Sequence, residues 1–133
     1  MPGSFFDSNV ILYLVSSDSA KVSRVEQLLA ERGSISVQVL NESANVLRRK
    51  REIPWPNLRA FLLELRKGLD VLPVTIDIHE AGLRLAERYG FATYDAMIVA
   101  AALAADCDTL WSEDMQDGLL VDQRLRIVNP FKG

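Results

Sequence analysis

Short apolar runs alternate along this chain with longer stretches of helical period, and that alternation restricts the fold more than any other feature of the sequence. Ser4-Phe5-Phe6 is a short run ending at Asp7. Ser8 and Asn9 then suit a helix start, with Val10, Ile11 and Leu14 at helical spacing. Ser19 opens a second helix, with Val22, Val25, Leu28 and Leu29 on one face and Gly33 as its stop. Ser34-Ile35-Ser36-Val37 reads as a strand, and a helix begins near Val39, carrying Leu40, Ala44 and Leu47 on its apolar side. Pro54 and Pro56 break that helix. Leu58, Phe61, Leu62, Leu65 and Leu69 mark an amphipathic helix, and Val71-Leu72-Pro73-Val74 a strand whose proline argues for an edge or an end. The segment from Ile76 to Tyr89 predicts a helix stopped by Gly90, and Thr93 is a good cap for an Ala-rich helix containing Ile98, Val99, Ala102 and Leu103. Thr109-Leu110-Trp111 and Arg126-Ile127-Val128 complete the strand candidates. Strands alternating with helices predict an α/β fold with a mostly parallel sheet. In such a sheet, ligands sit beyond the carboxyl ends of the strands.

The 133 residues predict a single domain over 1–133, and 49% hydrophobic with 25% charged residues excludes wholesale disorder. A net charge of −3 excludes a polycation that coats nucleic acid by bulk charge. The single Cys107 excludes an intramolecular disulfide and suits a reducing cytoplasm, and with only His79 beside it a His/Cys zinc site is excluded. The longest apolar run, Ala96 to Ala105, falls short of the roughly 18 residues of a membrane span. Met1-Pro2-Gly3-Ser4 carries no basic or long apolar region, so no signal peptide is expected.

Four carboxylates occupy the positions where such a fold places its site. Asp7 follows the first strand, and Asp114 lies three residues beyond Trp111. Glu42 lies near the start of the helix after the second strand, and Asp95 in the first turn of the Ala-rich helix. Taken singly, each has an ordinary alternative: Asp7 a helix cap, Asp95 a favourable charge at a helix start, Glu42 a solvated residue, Asp114 a turn residue. Glu42 stands out because Leu40 and Ala44 flank it, Val39 and Val46 lie a turn either side, and no Lys or Arg stands three or four residues away. A carboxylate in apolar surroundings is costly unless it is paired. Crowded carboxylates repel, and a hard divalent cation such as Mg²⁺ or Mn²⁺ resolves the repulsion with oxygen ligands alone. Mg²⁺ sites completed by phosphate oxygens point to phosphoryl chemistry.

At these residues the sequence resembles the PIN-domain ribonucleases, and among them the VapC-type toxins of bacterial toxin–antitoxin pairs. The likeness runs through Phe6-Asp7-Ser8-Asn9-Val10-Ile11-Leu12-Tyr13, Ser36-Val37-Gln38-Val39-Leu40-Asn41-Glu42, Thr93-Tyr94-Asp95-Ala96-Met97-Ile98-Val99-Ala100-Ala101-Ala102 and Leu110-Trp111-Ser112-Glu113-Asp114-Met115-Gln116. It ends in the tail Leu125-Arg126-Ile127-Val128-Asn129-Pro130-Phe131. The resemblance implies a PIN-like three-layer α/β/α sandwich and an acidic pocket for one or two Mg²⁺ or Mn²⁺ ions. It carries over Asp7, Glu42, Asp95 and Asp114 as the catalytic acidic set. Asp7, Asp95 and Asp114 would ligate the metal, and Glu42 would ligate it through water or orient the nucleophile. Ser8, Asn9, Thr93 and Ser112 resemble supporting polar positions. Asp117 either assists a second ion or is a turn residue before Gly118. Glu113 should face differently and is set aside. The implied reaction is in-line attack of metal-activated water on an RNA phosphodiester, leaving a 5′-phosphate and a 3′-hydroxyl.

The resemblance further implies a cognate antitoxin partner and a homodimer, while the single cysteine and the short apolar runs predict a cytoplasmic protein that does not enter a membrane. Leu12, Leu14, Leu29, Phe61 and Leu65 are either apolar surface for those contacts or plain core. Arg48-Arg49-Lys50-Arg51 is the one dense basic run, read either as an RNA-phosphate contact, with Arg59 and Arg66 extending it, or as a solvated helix end. Trp55, between two prolines, stacks on a base or closes its loop. A non-catalytic PIN module binding RNA or protein is the alternative function, disfavoured by the presence of all four carboxylates. A phosphatase of the haloacid dehalogenase type is disfavoured by Asn9, where those enzymes need a second Asp.

Overall fold

Phe5 and Phe6 are consecutive on one strand, so their side chains leave opposite faces of the sheet, and both are fully buried. Each face of the sheet is therefore covered, which makes the molecule a three-layer α/β/α sandwich around a mostly parallel sheet. The computed structural model describes residues 3–132; Met1 and Pro2, on which part of the N-terminal reading rests, lie outside the described residues, as does Gly133.

The elements run β1 (Ser4–Phe6), α1 (Ser8–Ile11), a 3₁₀ turn (Leu12–Val15), α2 (Ser19–Ala30), β2 (Ser34–Ser36), α3 (Val37–Arg49), α4 (Trp55–Gly68), β3 (Asp70–Leu72), α5 (Ile76–Tyr89), α6 (Thr93–Ala104), β4 (Thr109–Trp111), β5 (Leu120–Val121) and β6 (Leu125–Val128). Strand order is β3-β2-β1-β4-β6-β5. All neighbours are parallel except β5 and β6, which form an antiparallel edge pair. The chain winds outward from β1 through β2 to β3, then crosses to the other side of β1 at β4. The switch point thus falls between β1 and β4, where Phe6 is level with Trp111. That gap is where open α/β sheets hold their ligands.

Several element ends differ from the sequence reading for local physical reasons. The helix expected near Val39 starts at Val37, because the Ser36 side chain caps it by accepting from the Val39 N–H. It ends at Arg49, well before Pro54, and Pro56 instead sits in the first turn of α4, where a missing N–H costs nothing. The strand expected over Val71–Val74 runs over Asp70–Leu72 and stops at Pro73. The Leu120–Val121 strand was not expected. Gly90 ends α5 in the left-handed conformation, with φ of 80°, as its stop position demands. Helices α5 and α6 meet closely at Gly82, where a Cβ would stand 2.5 Å from the Met97 sulfur. The Ala-rich α6 is buried from Ala96 to Ala102, which explains why it shows apolar residues all round. Leu65 is buried and Leu14, Leu29 and Phe61 are half-buried, lining an apolar groove of about 220 Å³. Cys107 is a buried free thiol, pushed up to about 11 by burial and then by Asp108. Among the described residues, no helix is long and apolar enough to cross a membrane.

Candidate active site

Asp7 lies one residue past β1 and is only 3% exposed. Its backbone N–H donates to the Trp111 carbonyl at 3.0 Å, which continues the β1–β4 ladder and fixes it at the switch point. Its Oδ1 accepts from the Ser8 N–H at 2.7 Å and so caps α1. Its Oδ2 accepts from the buried Ser112 hydroxyl at 2.8 Å and from the Asn9 amide at 3.3 Å. The helix-cap role and the site position therefore coincide in one residue.

Glu42 is one turn into α3. It accepts from the Ser8 hydroxyl at 2.8 Å and from the Gln38 amide at 2.9 Å. Its partners are neutral donors rather than a cation. Gln38 was missed in the sequence, although its spacing of four residues on the same helix face was a usable signal. Ser8 bridges the two carboxylates, its hydroxyl also lying 3.4 Å from Asp7 Oδ1.

Asp95 lies in the first turn of α6, and Asp114 on the loop after β4. The Asp7 carboxyl is raised from 3.8 to about 6, by burial first and then by the negative charges of Asp95 and Glu42, against the lowering hydrogen bonds of Ser112 and Ser8. Asp95 is raised by burial and then by the charges of Glu42 and Asp114. The fold thus gathers four carboxylates, from positions 7, 42, 95 and 114, into one electrostatic neighbourhood.

The other expected positions divide. Ser8, Asn9 and Ser112 join the hydrogen-bonded cluster. Thr93 does not: Ala92 occupies the cap of α6, and Thr93 is its exposed first residue, with no side-chain hydrogen bond among the described residues. Asp117 turns to the tail, where its carboxylate accepts from the Asn129 N–H at 2.7 Å. Glu113 faces Tyr13 and Lys21, accepting from the Tyr13 hydroxyl at 2.7 Å and pairing with Lys21 at 3.1 Å. In the basic run, Arg48 donates to the Ile53 carbonyl and lies 4.8 Å over the Trp55 ring, while Arg51 donates to the Val15 carbonyl. Arg49 and Lys50 are exposed and make no side-chain hydrogen bond or salt bridge among the described residues.

Among the described residues, no three His, Cys, Asp or Glu side chains converge into a ready cage for a metal ion. The oxygens of Asp7 and Glu42 are turned to hydroxyls and amides. The donor set is all oxygen and strongly anionic, which fits a hard divalent cation.

No curated protein matches the sequence significantly. Solved structures match in fold. A toxin–antitoxin complex from Klebsiella pneumoniae aligns with a TM-score of 0.73 at 19% identity, over 97% of this chain and 98% of that one. VapC20 of Mycobacterium tuberculosis, described as a sarcin-ricin loop cleaving toxin, aligns with a TM-score of 0.67 at 19% identity, over 84% and 89%. VapBC2 of Rickettsia felis, bound to a DNA fragment from its promoter, aligns with a TM-score of 0.68 at 16% identity, over 93% and 96%. The PIN domain profile matches residues 4–116, from the strand that delivers Asp7 through the loop that delivers Asp114. With that match over most of its length, the chain belongs to the PIN domain family.

Proposed function

We propose that this chain is a metal-dependent endoribonuclease toxin of a toxin–antitoxin pair, a single PIN domain over 1–133 acting in the cytoplasm. The observation that carries the reading is the buried Asp7 at the switch point, with Glu42, Asp95 and Asp114 around it and, among the described residues, no cationic side chain bonded to them. Structures alike in fold that are described as a toxin–antitoxin complex and as a sarcin-ricin loop cleaving toxin support it.

In this proposal Asp7, Asp95 and Asp114 hold Mg²⁺ or Mn²⁺, and Glu42 orients water. A bound ion would lower the pKa of water and offset charge on the phosphate oxygens. The chain's own residues do the positioning. Ser112, Ser8 and Asn9 hold the Asp7 carboxylate, and Ser8 with Gln38 aims Glu42 into the same space. Arg49 and Lys50, at the end of α3, are the cations of the basic run placed to meet RNA phosphates. A cognate antitoxin and a second copy of the chain are the proposed protein partners.

The test is cleavage of a mixed RNA pool by antitoxin-free protein, with Mn²⁺ or with chelator, beside an Asp95→Asn variant. Metal-dependent cleavage that disappears in the variant supports the reading. Equal cleavage by both proteins refutes the assignment of Asp95.

A further inference from the structure

Asp114 stands on an irregular loop between β4 and β5, exposed and without a side-chain hydrogen bond of its own among the described residues. Its placement therefore depends on its neighbours. Ser112 is tied to Asp7 and accepts from the Met115 N–H at 3.3 Å. Glu113 is held at both carboxylate oxygens. Tyr13, from the 3₁₀ turn, donates to Oε1 at 2.7 Å, and Lys21, from α2, meets Oε2 at 3.1 Å. The Lys21 ammonium also lies 3.1 Å from the Tyr13 hydroxyl. It stands 4.7 Å from the Tyr13 ring centre and 4.8 Å from that of Phe131, and those two rings meet edge to face at 4.8 Å. The Lys21 and Glu113 side chains are 32% and 27% exposed, so the pair is partly shielded from solvent. At its backbone, Glu113 donates to Asn9 Oδ1 at 3.2 Å, and Asn9 in turn donates to Asp7 Oδ2.

We infer that Lys21 is a positioning residue for the acidic site: through Glu113 and Tyr13 it anchors the loop that carries Asp114 and keeps it in register with Asp7. This rests on the metal-site reading above. The aromatic walls fix the ammonium, the ammonium and phenol fix the Glu113 carboxylate, and the Glu113 backbone fixes the amide that holds Asp7. Groups that orient metal ligands are commonly worth 10- to 100-fold in affinity.

The direction of the effect separates positioning from bare charge. Removing a cation near an acidic site strengthens its attraction for Mn²⁺ if charge alone matters. Positioning requires the opposite. The experiment is titration of the metal-free protein with Mn²⁺ by calorimetry, with thermal melts recorded alongside, for the wild type, Lys21→Met, Glu113→Gln and Asp95→Asn. The expected result is Mn²⁺ binding weakened about tenfold in both Lys21→Met and Glu113→Gln, with melting of the metal-free protein little changed. Unchanged or tighter binding in Lys21→Met, while Asp95→Asn loses binding, overturns the inference and leaves the metal reading standing. Should Lys21→Met fail to fold, Glu113→Gln with wild-type affinity overturns it equally. No Mn²⁺ binding by the wild type overturns the metal reading, and this inference with it.

Discussion

The Ser112 hydroxyl donates to Asp7 Oδ2 across 2.8 Å, between two buried residues at the ends of adjacent central strands. A hydrogen bond to the charged form favours ionisation, and this one opposes the burial that raises the Asp7 carboxyl. Ser112→Ala removes it, so the Asp7 carboxyl rises further and is protonated over more of the neutral range. The expected outcome is an acidic limb of the pH–activity profile displaced to higher pH, with activity recovering toward wild type in alkaline buffer. A pH profile of RNA cleavage checks this. A uniform loss at every pH would assign Ser112 to loop structure instead, through its bond to the Met115 N–H.

Asp7 itself sets a cost on the metal-free fold. Its carboxyl titrates near 6 when folded and 3.8 when free, so ionisation is disfavoured in the native state. For a raised carboxyl the sign is a stability lost as pH rises through this window. Below pH 3.8 the group costs nothing, and above pH 6 the full penalty of about 2–3 kcal/mol applies. Asp7→Asn therefore raises the melting temperature of metal-free protein at pH 7.5, and the gain disappears in acid. Added Mn²⁺ is expected to stabilise the wild type and not the variant. Melting curves at pH 4 and 7.5 measure both effects, and a variant less stable at pH 7.5 would contradict the first.

The strand candidates and the mostly parallel character of the sheet were legible in the sequence because they rest on local signals, whereas the strand order was not. Phe5-Phe6-Asp7 announces a buried strand and the polar residue at its end, and the Asp95 and Asp114 positions follow from where the next elements begin. The α6 cap was not legible. Thr93 has the right chemistry, but the chain enters the helix one residue earlier, at Ala92, so the side chain falls outside the cluster. Glu42 was singled out for its apolar neighbours and for lacking a cation, and the structure supplies Ser8, 34 residues away, together with Gln38. Lys21 and Tyr13 were invisible as companions of Glu113, since the pairing spans 92 residues for Lys21 and 100 for Tyr13 and is made only by the tertiary fold. The Leu120–Val121 strand is too short to carry a periodic pattern.

The Ser43 hydroxyl is fully buried on α3 and has no hydrogen-bond partner among the described residues. A buried, unsatisfied polar group costs about 1–3 kcal/mol, and alanine is also the better helix former. Ser43→Ala is expected to stabilise the fold by about 1 kcal/mol without changing metal binding. Urea unfolding checks this, and a lowered midpoint would reveal a partner that the hydroxyl needs.

The basic run offers a test that separates structural from RNA-facing arginines. Arg48 and Arg51 are committed to the Ile53 and Val15 carbonyls, and Arg48 also covers Trp55, itself 53% exposed. Arg49 and Lys50 have no such commitments among the described residues. On an Asp95→Asn background, which prevents cleavage in the proposed mechanism, single-stranded RNA binding is read without turnover. Arg49→Ala and Lys50→Ala are expected to weaken binding and to reduce the slope of log affinity against log salt by about 0.7 for each phosphate that is no longer neutralised. Arg51→Ala is expected to lower the melting temperature and leave that slope unchanged, because the substitution frees a carbonyl rather than a phosphate. Slopes unchanged from the Asp95→Asn parent in all three variants would place the RNA path elsewhere on the surface and return the run to an ordinary solvated helix end.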